Sequence, residues 1–460
     1  MQIVSQPVVP ATTAATGLSK TEYDSFGSIT IYPVSPRALS MQILPTSFLL
    51  ILLLASTSGH CHAKNWPSFR GVNAQGHSAE KNLPITWTDT TNIAWKTELP
   101  GEGWSSPIVY DGTVYITTTT DEGTSCRVIS IDSETGKENW DTEVHRQNPG
   151  AKRKQNSYAT PTPVTDGNQI YAAFADGTVV AVNRDGKMAW KNTDVEFHSL
   201  HGLGASPILV DGLVIMPFDG SSPTKKELGW KIPWDQAVVL AIDAETGKTA
   251  WKGKRDASRV GHVTPITVNN GRQIISAAGD QVAAFDKTTG ERIWSVYSQG
   301  EGVTPTPVLG DGIIYTSSGF EEPTIRAIRL GGSGDVTDSH IVWEQKKGVP
   351  AMPSPLLVGT HLYTITRDNI LYCISANDGV PIWNKRLTGT HSASPLYADG
   401  RIYILSETGT TLVLAPGNEY KELASNPLDE KCLASMAVSD GHLFIRGINH
   451  LFCIGNDQTK

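Results

Sequence analysis

The chain writes one strand opening eight times, beginning with "SSPIVYDGTVYI" at 105–116. Each copy starts on a small hydroxyl residue: Ser106, Thr162, Ser206, Thr264, Thr306, Ser354, Ser394 and Ser435. Pro follows in seven copies and Met436 in the eighth, and seven copies carry a D-G or N-G pair a few residues later. Such pairs supply the positive φ angles that tight hairpin turns need. The β-branched and aromatic residues on either side read as strands. A unit that recurs at this spacing, about 40–60 residues, buries its faces against its neighbours, as propeller blades do.

A second motif completes the unit. "IDSETGKENW" (131–140) returns as "IDAETGKTAW" (242–251), "FDKTTGERIW" (285–294) and "ISANDGVPIW" (374–383). Each unit thus holds four short strands, and the last carries a tryptophan: Trp140, Trp190, Trp251, Trp294, Trp343 and Trp383, with Tyr420 near that place in the seventh. The eighth unit ends without a fourth strand, while "TNIAWKTEL" (91–99) has the form of one, with Trp95, and nothing before it to pair with. A ring that borrows its last strand from the opposite end leaves no open edge. The expected fold is all-β, an eight-bladed β-propeller of four-stranded antiparallel blades closed by an N-terminal strand.

Within this fold the seven tryptophans read as docking groups that wedge between blades, each indole N–H within reach of a neighbouring carbonyl. The T-G glycine reads as a left-handed turn position. Asp132, Asp243 and Asp286 read as acceptors for that turn's own N–H groups. The Ser/Thr ring would crowd around the axis, where small side chains fit, although a hydroxyl ring could also face a ligand.

Net charge is −8, so no basic field offers itself to nucleic acid. Residues 48–55, "FLLILLLA", form the one sustained apolar run, too short for a bilayer span of about 20 residues. With "STSGHCHA" after it, the stretch reads as a signal peptide over about 41–63 within a leader 1–63, cleaved after Ala63 and followed by one propeller domain, 64–460. Acylation of Cys61 is the alternative, and Met41 competes with Met1 as the start. Export to the periplasm or cell envelope of a bacterium, as a monomer, is expected. The remaining Cys126, Cys373, Cys432 and Cys453 lie too far apart in the unit alignment to pair.

The repeat resembles the pyrroloquinoline-quinone (PQQ) repeat family: "IDAETGKTAW" is close to its tryptophan-docking motif, and "NWPSFRG" (65–71) looks like its N-terminal lead-in. The resemblance covers about residues 65–455 and implies the propeller. It leaves function open, because the family includes quinoprotein dehydrogenases, an outer-membrane barrel-assembly lipoprotein and other exported propellers. For a dehydrogenase the resemblance would imply PQQ near the axis, an adjacent Cys–Cys disulfide, an acidic Ca²⁺ site and an aspartate base. This chain has no adjacent cysteines, no C-x-x-C-H and no acidic cluster at successive axial loops. PQQ and Ca²⁺ are therefore not expected. Nor does the chain carry the H-R-D and D-F-G of a kinase.

Where the repeat breaks, specificity can sit. Residues 145–158 carry a basic run, and residues 217–236 are inserted between the second and third strands of the third unit, a loop on which no blade is expected to depend. With the segments that enter first strands, they would form one face bearing Trp104, Lys152, Arg153, Tyr158, His201, Trp230, Trp234, His262 and His391. His201 and His262 sit on neighbouring blades and could meet as a metal or acid–base pair. Each histidine could instead bond a loop carbonyl. The leading reading is a non-catalytic protein-binding or assembly scaffold. A PQQ-type oxidoreductase or other envelope enzyme, and a glycan-binding module, are the alternatives. Expressed with its leader in a bacterial host, the protein should leave the cytoplasm trimmed near Ala63. Mature protein whose first residue is 1 or 41 would refute the export reading.

Overall fold

A computed structural model describes residues 65–455, apart from 89, 230, 231, 260, 299, 301–303, 320 and 321. The leader, with Cys61 and the Ala63 cleavage point, lies outside the described residues, as does Trp230. Eight antiparallel sheets follow one another along the chain, and seven take their four strands in sequence order. In the eighth, Ala437–Ser439, His442–Arg446 and His450–Ile454 are completed by Ile93–Glu98, with Trp95 opposite Cys453 and Glu98 opposite His450. The eight-bladed ring closes through its two ends. The described residues hold one α-helix, the single turn Thr337–His340.

The core lies between blades rather than within one. Ile108 and Tyr115 of blade one pack with Ile170 and Val182 of blade two, and this interleaving recurs around the ring. Each sheet is apolar on both faces because each face meets a neighbour, which is why its inner strands read as near-continuous apolar runs.

At the axis the hydroxyl residues form a belt. The N–H of Ser106 donates to Thr162 Oγ1 at 2.9 Å, Thr162 to Ser206 Oγ at 2.9 Å, and Ser206 to Thr264 Oγ1 at 3.1 Å. The chain resumes from Thr306 to Ser354, Ser394 and Ser435, which returns to Ser106 Oγ at 3.1 Å. Seven of eight steps are made. The missing one falls between blades four and five, where the buried Thr306 Oγ1 has no partner among the described residues. These hydroxyls satisfy buried amide groups that the first strands leave unpaired. That use accounts for the residue type without a ligand.

The tryptophans dock as a second, outer ring. Trp95, Trp140, Trp190, Trp251, Trp343 and Trp383 each donate from the indole N–H to a carbonyl of the following blade at 2.8–3.0 Å. In all eight blades the third and fourth strands shift register at this place, for example between Ser130 and Ile131, and such a bulge re-aims a side chain. The T-G turn of the next blade lies beneath the indole. Gly136 has φ 70° and a β-carbon there would stand 2.5 Å from the Trp95 ring; Gly247, at φ 73°, would place one 2.6 Å from Trp190. Glycine is thus required twice, by conformation and by contact. Asp132 and Asp243 accept from the N–H and hydroxyl of Thr135 and Thr246, bonds that hold both carboxyls below their usual range.

Two slots depart from expectation. Trp294 is fully buried, but its N–H has no partner among the described residues. Blade five lacks the T-G turn, and its longer link lays Gly334–Asp335 parallel to the last strand of blade four, beside Trp294. In blade seven the register puts Ala424, not Tyr420, in the slot. The next blade has no turn to receive an indole there, since its third and fourth strands come from opposite chain ends. Trp87 and Leu83 of the N-terminal segment are buried in the cluster against which Ala424 packs.

That segment, residues 65–92, is a strap across the face that carries the D-G turns. Trp66 pairs with Val109 of blade one, and Thr165 of blade two donates to Pro67 O. Arg70, buried beneath the strap, donates to Pro355 O of blade six at 2.6 Å, and burial lowers its guanidinium to about 9. Gln75 accepts from Leu309 of blade five, Ser78 bonds Tyr397 of blade seven, and Glu80 accepts from Gly441 of blade eight. Between the strap and the first strands of blades two to four a hollow of 290 Å³ remains. Cys126, Cys373, Cys432 and Cys453 are all buried free thiols, as expected from their spacing.

Trp95 is only half-buried, so Trp95→Ala should cost about 2–3 kcal/mol, while Trp294→Ala, with no exposed surface to begin with, should cost about 3–5 kcal/mol. Denaturant melts of the two variants check the order; equal or reversed losses would contradict the packing.

Candidate functional site: a loop platform on one face

On the face opposite the strap, each loop entering a first strand runs beside the link between second and third strands. Glu102 pairs with Thr119, His198 with Ser221, and Pro350 with Thr366 in this way. The face is therefore built from paired loops, and those of blades one to four differ most from the repeat.

The loops of blades one and two are knitted together. Trp104 N–H donates to Ala159 O and Ser157 Oγ, both at 3.1 Å. Lys152 bridges Glu102 Oε1 at 3.1 Å and Asn156 O at 3.0 Å, with its ammonium 5.1 Å from the centre of the Tyr158 ring. Asn156 then reaches blade three, donating to His201 O at 3.0 Å. The His201 and His262 rings do meet, with centroids 6.2 Å apart. Burial lowers both imidazoles: Arg153 adds to the effect on His201, and His201 adds to that on His262, which falls to about 4. Both are neutral near pH 7. Two imidazoles supply half of a four-ligand metal site, and no group of three metal-ligating side chains occurs among the described residues.

Other candidates stand apart. His391 belongs to blade seven, where its Nδ1 meets Asn369 Oδ1 at 3.4 Å, a side-chain partner rather than a loop carbonyl. Trp234 turns inward: its indole donates to Leu228 O at 2.8 Å and the ring packs on Ala237, Ala257 and Ala278. The expectation that no blade depends on the 217–236 insertion is corrected at both of its ends. Asp219 pairs with Arg255 at 3.1 Å, both fully buried, and at the other end the backbone N–H of Trp234 donates to Ala257 O at 3.1 Å. Burial pushes the Asp219 carboxyl up to about 7 against the pull of Arg255, and the nearby Asp280 adds to the rise. Removing one member of such a pair leaves an uncompensated buried charge.

Arg446 also escaped sequence reasoning. It ends the second strand of blade eight and donates to Ser105 O, Ser105 Oγ and Thr117 O of blade one at 3.0, 2.6 and 2.8 Å. It pins the two blades that meet at the closure. The available signal was a charge in "FIRG", where the pattern calls for an uncharged inner residue.

His391 is 5% exposed, and burial holds it near 4 although Glu407 opposes the shift. The unfolded imidazole takes up a proton near 6.5 and the folded one only near 4, so stability is lost as pH falls between those values. The loss should be on the order of 2–3 kcal/mol. Urea melts near pH 7 and pH 4 should show His391→Gln spared that part of the parent's loss; parallel losses would refute the assignment.

Known proteins share this architecture. The chain is 21% identical over 292 residues to the outer membrane protein assembly factor BamB of Yersinia pestis, covering 60% of this chain and 66% of that one. It is 22% identical over 271 residues to the quinohemoprotein alcohol dehydrogenase ADH IIB of Pseudomonas putida, covering 56% and 35%. The matches thus span less than two thirds of the length of both relatives. The crystal structure of BamB from Moraxella catarrhalis superposes with a TM-score of 0.57 at 12% identity, over 80% of this chain and 98% of that one. A family profile described as "Outer membrane protein assembly factor BamB" matches residues 76–220, 233–332 and 324–418. With more than half of its length matched, and with the repeat, the docking tryptophans and the closed ring in place, this chain belongs to that family of PQQ-like repeat propellers.

Proposed function

We propose that the protein is an exported, non-catalytic propeller that serves as a protein-binding or assembly scaffold in the bacterial cell envelope. The observation that carries this reading is the platform. The two segments that break the repeat, 145–158 and 217–236, join through the segment that enters blade three, residues 197–202, by way of Asn156 to His201 and His198 to Ser221. Leu200 and Ile232 stand out from it at 62% and 56% exposure. Both lie on loops that depart from the repeat, where specificity can sit. The relatives named as assembly factors of the outer membrane support the same setting.

The quinohemoprotein relatives keep a second reading, a PQQ-dependent oxidoreductase, in view. The donor set fits it poorly. The four described cysteines are single and buried, so an adjacent-cysteine disulfide has no counterpart among them, and seven of the eight axial hydroxyls accept from backbone N–H groups. A glycan-binding module would want aromatic faces open to solvent, whereas Trp234 is folded inward.

Leu200→Glu combined with Ile232→Glu changes only exposed positions, so folding should move by no more than about 0.5 kcal/mol per site. Tagged protein recovered from envelope extract of its own host should bring down a partner that this variant recovers about tenfold less, a loss of about 1.4 kcal/mol. Dye reduction that requires added PQQ and Ca²⁺ would instead establish the enzyme.

A further inference from the structure

The platform also carries a concentration of positive charge. Segment 145–158 contains Arg146, Lys152, Arg153 and Lys154 and no carboxylate, in a chain of net charge −8. Two of these cations are occupied. Arg146 pairs with Asp121 at 3.1 Å and Glu143 at 2.8 Å, and Lys152 is held by Glu102. Arg153 and Lys154 are exposed and enter no ion pair among the described residues. Across the loop junction, Lys225 pairs with Asp235 at 3.6 Å, while Lys226, beside the exposed Glu227, bears on His198. Arg153 likewise bears on His201. Uncompensated positive charge therefore borders the exposed Leu200, whose neighbours His198 and His201 are held neutral.

We infer that this platform docks an acidic, extended segment of a protein partner, its carboxylates on Arg153 and Lys154 and an apolar side chain against Leu200 and Ile232. The inference rests on the scaffold reading and names the chemistry of the partner. Charge complementarity carries it: a chain of net charge −8 disfavours acidic partners overall, so a local cluster of unpaired cations biases both encounter and register toward this face. Anionic membrane is the poorer occupant. Lipid surfaces are held by clusters of about 4–8 basic residues, and here two of the four in the segment are committed to internal carboxylates.

The test uses the full mature chain and two short labelled peptides, one of Glu and Leu and one with Lys in place of Glu, followed by fluorescence anisotropy. The Glu peptide should bind, the Lys peptide should not, and added salt should weaken binding. Arg153→Glu with Lys154→Glu should weaken the Glu peptide about tenfold or more while melting like the parent. Equal binding of both peptides, or no effect of charge reversal, would overturn the inference, as would recruitment to phosphatidylglycerol vesicles that outcompetes the Glu peptide. A photo-crosslinker at Leu200 in the native host separates the two levels. Capture of a protein segment of net negative charge supports the inference. A neutral or basic segment overturns it but leaves the scaffold standing, and an absence of protein crosslinks would remove the scaffold reading as well.

Discussion

Everything in this molecule depends on closing a ring whose ends are far apart in sequence. A four-stranded blade cannot bury two apolar faces alone, so each blade is stable only between neighbours, and the eighth has neighbours only if the chain's ends meet. Pairing of Ile93–Glu98 with His450–Ile454 meets that demand. Arg446 bonded to Ser105 and Thr117 reinforces it from inside, and the strap reinforces it from the D-G face. The hydroxyl belt expresses the same constraint at the axis, where first strands converge too closely for large side chains and their N–H groups still need acceptors.

The outer ring shows how a repeated sequence can be a repeated interaction. Indole, bulge and glycine form one unit divided between two blades: the bulge aims the ring, the glycine makes room, and the turn carbonyl accepts the N–H. The exceptions follow from the same physics. The Trp294 indole has no carbonyl partner among the described residues because the following blade replaces the turn with a longer link, and blade seven uses Ala424 because the closure leaves no turn ahead of it.

The two faces have separate roles. The strap covers much of the D-G face and ties blades one, two, five, six, seven and eight to one segment. Apart from the long 330–340 link of blade five, the loops that depart most from the repeat lie on the other face, where entry loops pair with the links between second and third strands. The 217–236 insertion is anchored near its base by the buried pair of Asp219 and Arg255. Functional change can then accumulate without disturbing the belt or the docking ring.

Much of this was legible without coordinates. Blade number, strand count, the closing strand and six of the seven indole contacts follow from local patterns, because a repeat exposes its own average and a turn motif constrains its immediate neighbours. Blade order placed the loops of His201 and His262 side by side, but whether the two rings met or each bonded a loop carbonyl stayed open until the structure brought them within 6.2 Å. What the sequence alone could not determine involves residues that act across large separations. Arg70 on Pro355, Arg446 on Ser105, and the inward turn of Trp234 are cases where a buried polar or aromatic group takes whichever partner three-dimensional closure brings near. The sequence by itself determined the ring, since hydrogen-bonding and packing rules repeat with its period. Only the tertiary structure decided which charges are spent internally and which, like Arg153 and Lys154, are exposed without an ion pair among the described residues, because that depends on the distances between loops from different blades.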